Sequence, residues 1–202
     1  MELNLIGSNA IDFTTSAVDG QGEIIDNFSF KQAINGKPAL LFFYPLDFTF
    51  VCPSELIALN NRMSAFNERN IQVFSVSVDS HFSHAAWRKT PIEQGGIGEV
   101  KYTMLADLDH SIAKAYQSLD ASAKVALRSS ILIDANGVIQ CQLLNNLPIG
   151  REIDEIIRLF DAIDFHAKYG EVCPAGWQKG KSGMQANAAG VAKYLSENSE
   201  VL

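Results

Sequence analysis

Cysteine is scarce in this chain, and the few that occur stand far apart. Cys52, Cys141 and Cys173 are too widely spaced for the disulfide framework of a small secreted protein, and no Cys-x-x-Cys occurs. Any disulfide here is therefore expected to be catalytic rather than structural. Basic residues are missing from the start of the chain, with no Lys or Arg before Lys31, so the charged segment that opens a secretory leader is absent. No apolar run approaches the length needed to cross a bilayer, and the expectation is a cytosolic protein without a membrane partner. A net charge of -7 with a pI near 5.0, and no basic run, argues against nucleic acid as a partner. His81, His84, His110 and His166 do not combine with the cysteines at zinc-binding spacing; they read as solvated loop or helix histidines, and no metal is expected. The glycines of GGIG, residues 95–98, suggest a phosphate loop, but no Lys-Ser/Thr follows and no strand leads directly into a helix there.

What is present suffices for one well-buried core and an arm besides: 202 residues, 47% of them hydrophobic. The run Ala39–Tyr44 is continuously apolar and predicts a strand buried on both faces. A loop, Pro45 to Val51, then leads to Cys52. Pro53 suits a first helical position, Ser54 and Glu55 suit a first turn, and Leu56, Leu59, Met63 and Phe66 recur at helical spacing, predicting a helix to about Arg69. Cys52 thus falls where unpaired N–H groups and the positive end of the helix dipole favour an anion. An isolated cysteine is more often a buried small hydrophobe, but the company of Pro45, Thr49, Pro53 and Glu55 points to a nucleophile.

Downstream, residues 71–78 predict a second buried strand, so strand, helix and strand form a parallel crossover. A helix at about 82–93, a strand at 101–105 and a short helix after Asp109 follow. SSILID and VIQCQLL flank Ala135-Asn136-Gly137, a strong hairpin signal. Within it Ile139, Cys141 and Leu143 alternate with glutamines, which makes Cys141 a core residue. A helix over about 151–165 buries Ile153, Ile156, Ile157, Phe160 and Ile163. The packed domain is taken as residues 1–169. Residues 170–202, with five glycines and scattered hydrophobes, read as an extended C-terminal arm. The class is α/β with a mixed central sheet flanked by helices.

Four motifs, FYPLDFTFVCPSEL around Cys52, HAAWRKTPIEQGGIG at 84–98, LRSSILID around Arg128 and GEVCPAGWQKG around Cys173, make the chain resemble the typical 2-Cys peroxiredoxins, of the thioredoxin peroxidase and alkyl hydroperoxide reductase type. The resemblance covers nearly the whole chain. It implies a thioredoxin-like fold and a cofactor-free thiol peroxidase acting on hydrogen peroxide and organic hydroperoxides. Cys52 would be the peroxidatic cysteine, oxidised to a sulfenic acid, and Cys173 the resolving cysteine that closes an intersubunit disulfide. Thr49 would hydrogen-bond the sulfur and the attacked peroxide, Pro45 would shape and shield the loop, and Arg128 would add a permanent cation. Glu55 and Arg151 would form a network orienting Arg128, or equally stand as solvated helix-end charges.

The same resemblance implies recycling by thioredoxin or by a flavoprotein disulfide reductase, and homodimers closing into a decamer. GGIG is similar to the element that, with a C-terminal Tyr-Phe, slows unwinding of the site and favours oxidation to sulfinic acid. Here the tail reads Tyr194-Leu195, which implies intermediate sensitivity to excess peroxide. Two rivals stay open: a general thiol-disulfide oxidoreductase of the thioredoxin class, against which the missing Cys-x-x-Cys counts, and a ring-forming holdase chaperone, which is compatible with peroxidase activity.

Overall fold

The computed structural model describes residues 4–202. Strands β1 (Thr14–Val18) and β2 (Ile24–Ser29) form an antiparallel hairpin, followed by the short helix α1 (Phe30–Ile34). Then comes the crossover that the apolar runs predict: β3 (Ala39–Phe43), helices α2 (Cys52–Asn61) and α3 (Met63–Glu68), and β4 (Gln72–Ser77) parallel to β3. The single helix expected to Arg69 is interrupted at Arg62, whose ψ of 4° leaves the helical range. Helix α4 (His81–Lys89) begins on Ser80, whose hydroxyl accepts from the Ser83 amide, and ends before Pro91, which cannot continue it.

Strand β5 (Thr103–Ala106) runs parallel to β4, and the short α5 (Ser111–Ala115) leads to the two-residue strands β6 (Leu119–Asp120) and β7 (Val125–Ala126), which pair apart from the main sheet. The hairpin of β8 (Arg128–Ile133) and β9 (Ile139–Asn145) turns at Gly137, whose φ of 80° favours glycine. The main sheet has the order β2-β1-β5-β4-β3-β8-β9, parallel in β5-β4-β3 and antiparallel elsewhere. This is a mixed sheet flanked by helices, the thioredoxin-like arrangement, with the β1–β2 hairpin added at one edge.

All five residues of β3 are buried, as are all six of β8, because each strand is covered on both faces and paired on both sides. Cys141 departs from its expected place in the core. It is half-buried, as is Leu143, because β9 is the last strand of the sheet and only Ile139 at its start is fully covered.

The backbone forms two compact units, one ending at Ile153 and one spanning Asp154–Leu202. The second unit contains nearly all of α6 (Ile153–Tyr169) and, within the glycine-rich arm, a further helix, α7 (Ala188–Asn198), which the sequence pattern did not predict. No described helix is long and apolar enough to cross a membrane.

Candidate active site

The carboxyl ends of β3 and β4 open onto the loop from Pro45 to Val51, where α/β sheets commonly hold their ligands. Pro45 is buried at the loop's start, and Cys52 is the first residue of α2, with Pro53 behind it in the first turn. Cys52 is 1% exposed, so groups the fold places there closely surround its sulfur.

Two such groups reach it. Thr49 Oγ1 lies 2.9 Å from Cys52 Sγ, and Arg128 Nη1, from the start of β8, lies 3.5 Å away. The Thr49 hydroxyl is also 2.8 Å from the Leu46 carbonyl. A hydroxyl has one proton, so the contacts exist in two forms. As a thiol, Cys52 donates to Thr49, which donates onward to Leu46; as a thiolate, Cys52 accepts from Thr49.

Arg128 is held from behind. Its Nη1 donates to Glu55 Oε2 at 2.6 Å and its Nε to the Leu147 carbonyl at 2.6 Å. The same Glu55 carboxylate accepts from Arg151 through Nε and the backbone N, both at 2.9 Å, and through Nη2 at 3.1 Å. Arg151 also donates to the Ser129 carbonyl and lies with Cζ 3.3 Å from the Phe42 ring centroid. All three side chains are at most 4% exposed, so neither Glu55 nor Arg151 is a solvated helix-end charge. Burial lowers the Arg151 pKa, and the Glu55 carboxylate opposes the shift. One carboxylate between two guanidiniums leaves a net positive charge beside the sulfur.

A second buried polar cluster adjoins the loop, and sequence reasoning missed it. His84 is fully buried rather than solvated, its Nδ1 2.8 Å from Asp47 Oδ2 and its Nε2 3.2 Å from the Leu105 carbonyl. Asp47 also accepts from the Tyr44 and Ser83 hydroxyls, both at 2.7 Å. Burial pushes the Tyr44 pKa well above its ordinary value, with the Asp47 charge adding to the shift, so the phenol remains a donor. The available signal was the spacing of His84, Trp87 and Arg88, which share one helix face and are all buried.

In the second unit, Cys173 is half-buried and its thiol lies 3.5 Å from the Ala162 carbonyl. Burial raises its pKa, and the positive charge of Arg158 opposes the rise. Arg158 is itself gripped by Glu155 at 2.6 and 2.8 Å and donates to the Trp177 carbonyl at 2.7 Å. The Trp177 ring packs against Phe165, 4.8 Å between centroids.

Fold and site together define a thioredoxin-like protein built around one buried cysteine at a helix start, with a hydroxyl and a guanidinium on its sulfur. Residues 6–142 match the AhpC/TSA family, and residues 162–197 match the C-terminal domain of 1-Cys peroxiredoxin. The chain is 47% identical to alkyl hydroperoxide reductase C of Buchnera aphidicola subsp. Schizaphis graminum, over 96% of this chain and 98% of that protein. It is 43% identical to the chloroplastic 2-Cys peroxiredoxin BAS1 of Hordeum vulgare, over 96% and 92%. The crystal structure of the reduced 2-Cys peroxiredoxin of Plasmodium vivax superposes with a TM-score of 0.92 at 51% identity, covering 96% of this chain and 99% of that one. The chain belongs to the AhpC/TSA family of peroxiredoxins, and its function is that of a peroxidase.

Proposed function

We propose that this peroxidase reduces hydrogen peroxide and organic hydroperoxides through Cys52 and is completed by Cys173 of the partner subunit. The observation that carries the reading is the Cys52 sulfur at the first residue of α2, with Thr49 Oγ1 at 2.9 Å and Arg128 Nη1 at 3.5 Å. In this mechanism the thiolate attacks the terminal peroxide oxygen and the O–O bond breaks. Cysteine sulfenic acid forms, and the leaving alkoxide or hydroxide takes a proton to become alcohol or water. Thr49 and the amides of the first turn of α2 hold the two oxygens, Arg128 stabilises the negative charge as it moves, and Pro45 shields the loop. Glu55 and Arg151 act through Arg128, by fixing where its guanidinium points.

The sulfenic acid then condenses with the thiol of Cys173 of the partner subunit, releasing water and forming a disulfide. A dithiol reductant, thioredoxin or a flavoprotein disulfide reductase, returns both cysteines to thiols. In this reading residues 1–169 act as the peroxidase domain and residues 170–202 as the arm that delivers the resolving thiol. A sequence that carries GGIG but has Tyr194-Leu195 in place of Tyr-Phe is read as giving intermediate sensitivity to excess peroxide. The setting is cytoplasmic and the assembly a homodimer closing into a decamer. Two surfaces support association: the outer edge of β9, and the exposed Phe48, Phe50 and Phe82, of which Phe50 is 97% exposed.

Non-reducing electrophoresis after one equivalent of peroxide tests the resolving step. Disulfide-linked dimers are expected from the native protein and not from Cys173→Ser. Dimers that survive that substitution would remove Cys173 from the mechanism.

A further inference from the structure

The Asp47 cluster ties the loop before Cys52 to the core through four hydrogen-bond contacts, and it sits beside a residue in the left-handed region. The Asp47 carboxylate meets Tyr44 Oη, Ser83 Oγ and His84 Nδ1, all within 2.8 Å. Its backbone N donates to Asp79 Oδ2 at 2.8 Å, and Asp79 in turn accepts from the Ser77 hydroxyl at 2.7 Å. These partners come from the ends of β3 and β4 and from the first turn of α4, so one loop residue is tied to three elements of the core. Asp47 is 6% exposed, and a buried carboxylate is unfavourable unless partners such as these offset its lost hydration.

The next residue, Phe48, has a φ of 52°, in the left-handed region, although it carries a side chain and is half exposed. Such a conformation is strained for a residue with a side chain and persists only where neighbours over-determine it. Asp47 fixes the backbone on one side, and the Phe48 ring rests 5.6 Å from that of buried Trp87. The residue after Phe48 is Thr49, whose hydroxyl lies 2.8 Å from the Leu46 carbonyl and 2.9 Å from Cys52 Sγ. Leu46 and Thr49 therefore bracket the anchored pair. A small rotation at Asp47 or Phe48 would move the carbonyl and the hydroxyl apart and carry Thr49 away from the sulfur.

We propose that Asp47 and His84 are positioning residues for the peroxide reaction: their buried contact holds the turn that aims the Thr49 hydroxyl at the attacked oxygen. This rests on the reading of Cys52 as the peroxide-reducing thiol. His84 is suited to the task because both ring nitrogens face acceptors, Asp47 Oδ2 and the Leu105 carbonyl. A neutral ring donates through one nitrogen, so either tautomer ties it to the loop or to β5 by a hydrogen bond while the other nitrogen packs against the second oxygen. A group that acts through Thr49 must matter for a peroxide, whose two oxygens have to be oriented, and little for an alkylating agent, which needs a nucleophilic sulfur but no second atom held in line.

The test compares two reactions of the same sulfur in the full-length reduced protein carrying Cys173→Ser: the second-order rate constant with hydrogen peroxide, and alkylation of Cys52 by iodoacetamide. Asp47→Asn replaces part of the acceptor with a donor facing donors. His84→Leu removes both ring contacts. His84→Asn keeps a donor where Nδ1 stood and serves as the rescue. The first two are expected to lower the peroxide rate constant about 10- to 100-fold with alkylation near the native rate, and His84→Asn to recover most of the loss. Equal falls in both reactions, or an unchanged peroxide rate constant, would overturn the proposal. Should His84→Leu not fold, as judged by circular dichroism, the contrast between Asp47→Asn and His84→Asn decides alone. If the protein with Asp47 and His84 intact reacts with peroxide no faster than a free thiol, the peroxidase reading of Cys52 fails instead.

Discussion

Cys52 and Cys173 carry the same atom into opposite surroundings. Cys52 Sγ is approached by a hydroxyl and a guanidinium at the start of a helix, within a network that is almost wholly buried. Cys173 lies against a carbonyl, so its thiol is a donor, and burial raises its pKa. One environment offers donors to the sulfur, and the other offers it an acceptor. The difference comes from the partners: polar groups converge from α2, β8 and the loop before α2 in one case, and the backbone of α6 meets the sulfur in the other.

The strongest way to break this contrast is to strip Cys52 of its donors. Thr49→Val keeps the shape of the side chain and removes the hydroxyl, and Arg128→Met removes the cation. Each is expected to lower the peroxide rate constant by about 10²–10³, measured by stopped flow, as loss of a single transition-state donor does elsewhere. A fall of less than threefold in either would show that the residue does not reach the reacting oxygens.

Glu55 separates positioning from stability. Glu55→Gln leaves Arg128 and Arg151 buried without their carboxylate, and breaking a buried pair in this way costs about 3–5 kcal/mol. Denaturant unfolding should register that loss, while peroxide turnover falls modestly. An unchanged unfolding midpoint would mean that the two guanidiniums find other acceptors.

How far this contrast could be read from residues alone differs between the two cysteines. The strand Ala39–Phe43 and the helix after Cys52 were legible because a continuous apolar run and an apolar stripe at helical spacing are local signals. The β8–β9 hairpin was legible from its Asn-Gly turn. The β1–β2 hairpin was not, because its strands carry Thr, Ser, Asp and Asn and bury only Ala17 and Val18. Nor was α7, which buries no residue and so presents no clear apolar face. Around Cys52 the motif pointed to Thr49 and Arg128, but the choice between network and solvated charge for Glu55 and Arg151 needed the tertiary structure. Asp47 and His84 stayed hidden for the same reason. They are 37 positions apart, and their burial depends on β3, β4 and α4 meeting at one end of the sheet.

A smaller effect sharpens the Cys173 side of the comparison. A raised pKa keeps that thiol protonated to higher pH, so less thiolate is present near neutrality. In Cys52→Ser, iodoacetamide labelling of Cys173, followed by peptide mass spectrometry, should therefore be slower near pH 7 than labelling of an unstructured cysteine peptide. It should also reach half its maximal rate at a higher pH than the peptide does. Labelling as fast as the peptide would place Cys173 outside the surroundings described here.

The most direct measurement mixes reduced protein with one equivalent of hydrogen peroxide and follows tryptophan fluorescence by stopped flow. Trp87, packed on Phe48 of the loop before Cys52, and Trp177, four residues after Cys173, supply the signal. A fast second-order phase that is lost in Cys52→Ser and kept in Cys173→Ser is the predicted result. A fast phase that survives Cys52→Ser, or that disappears in Cys173→Ser, would contradict the assignment of attack to one thiol and resolution to the other.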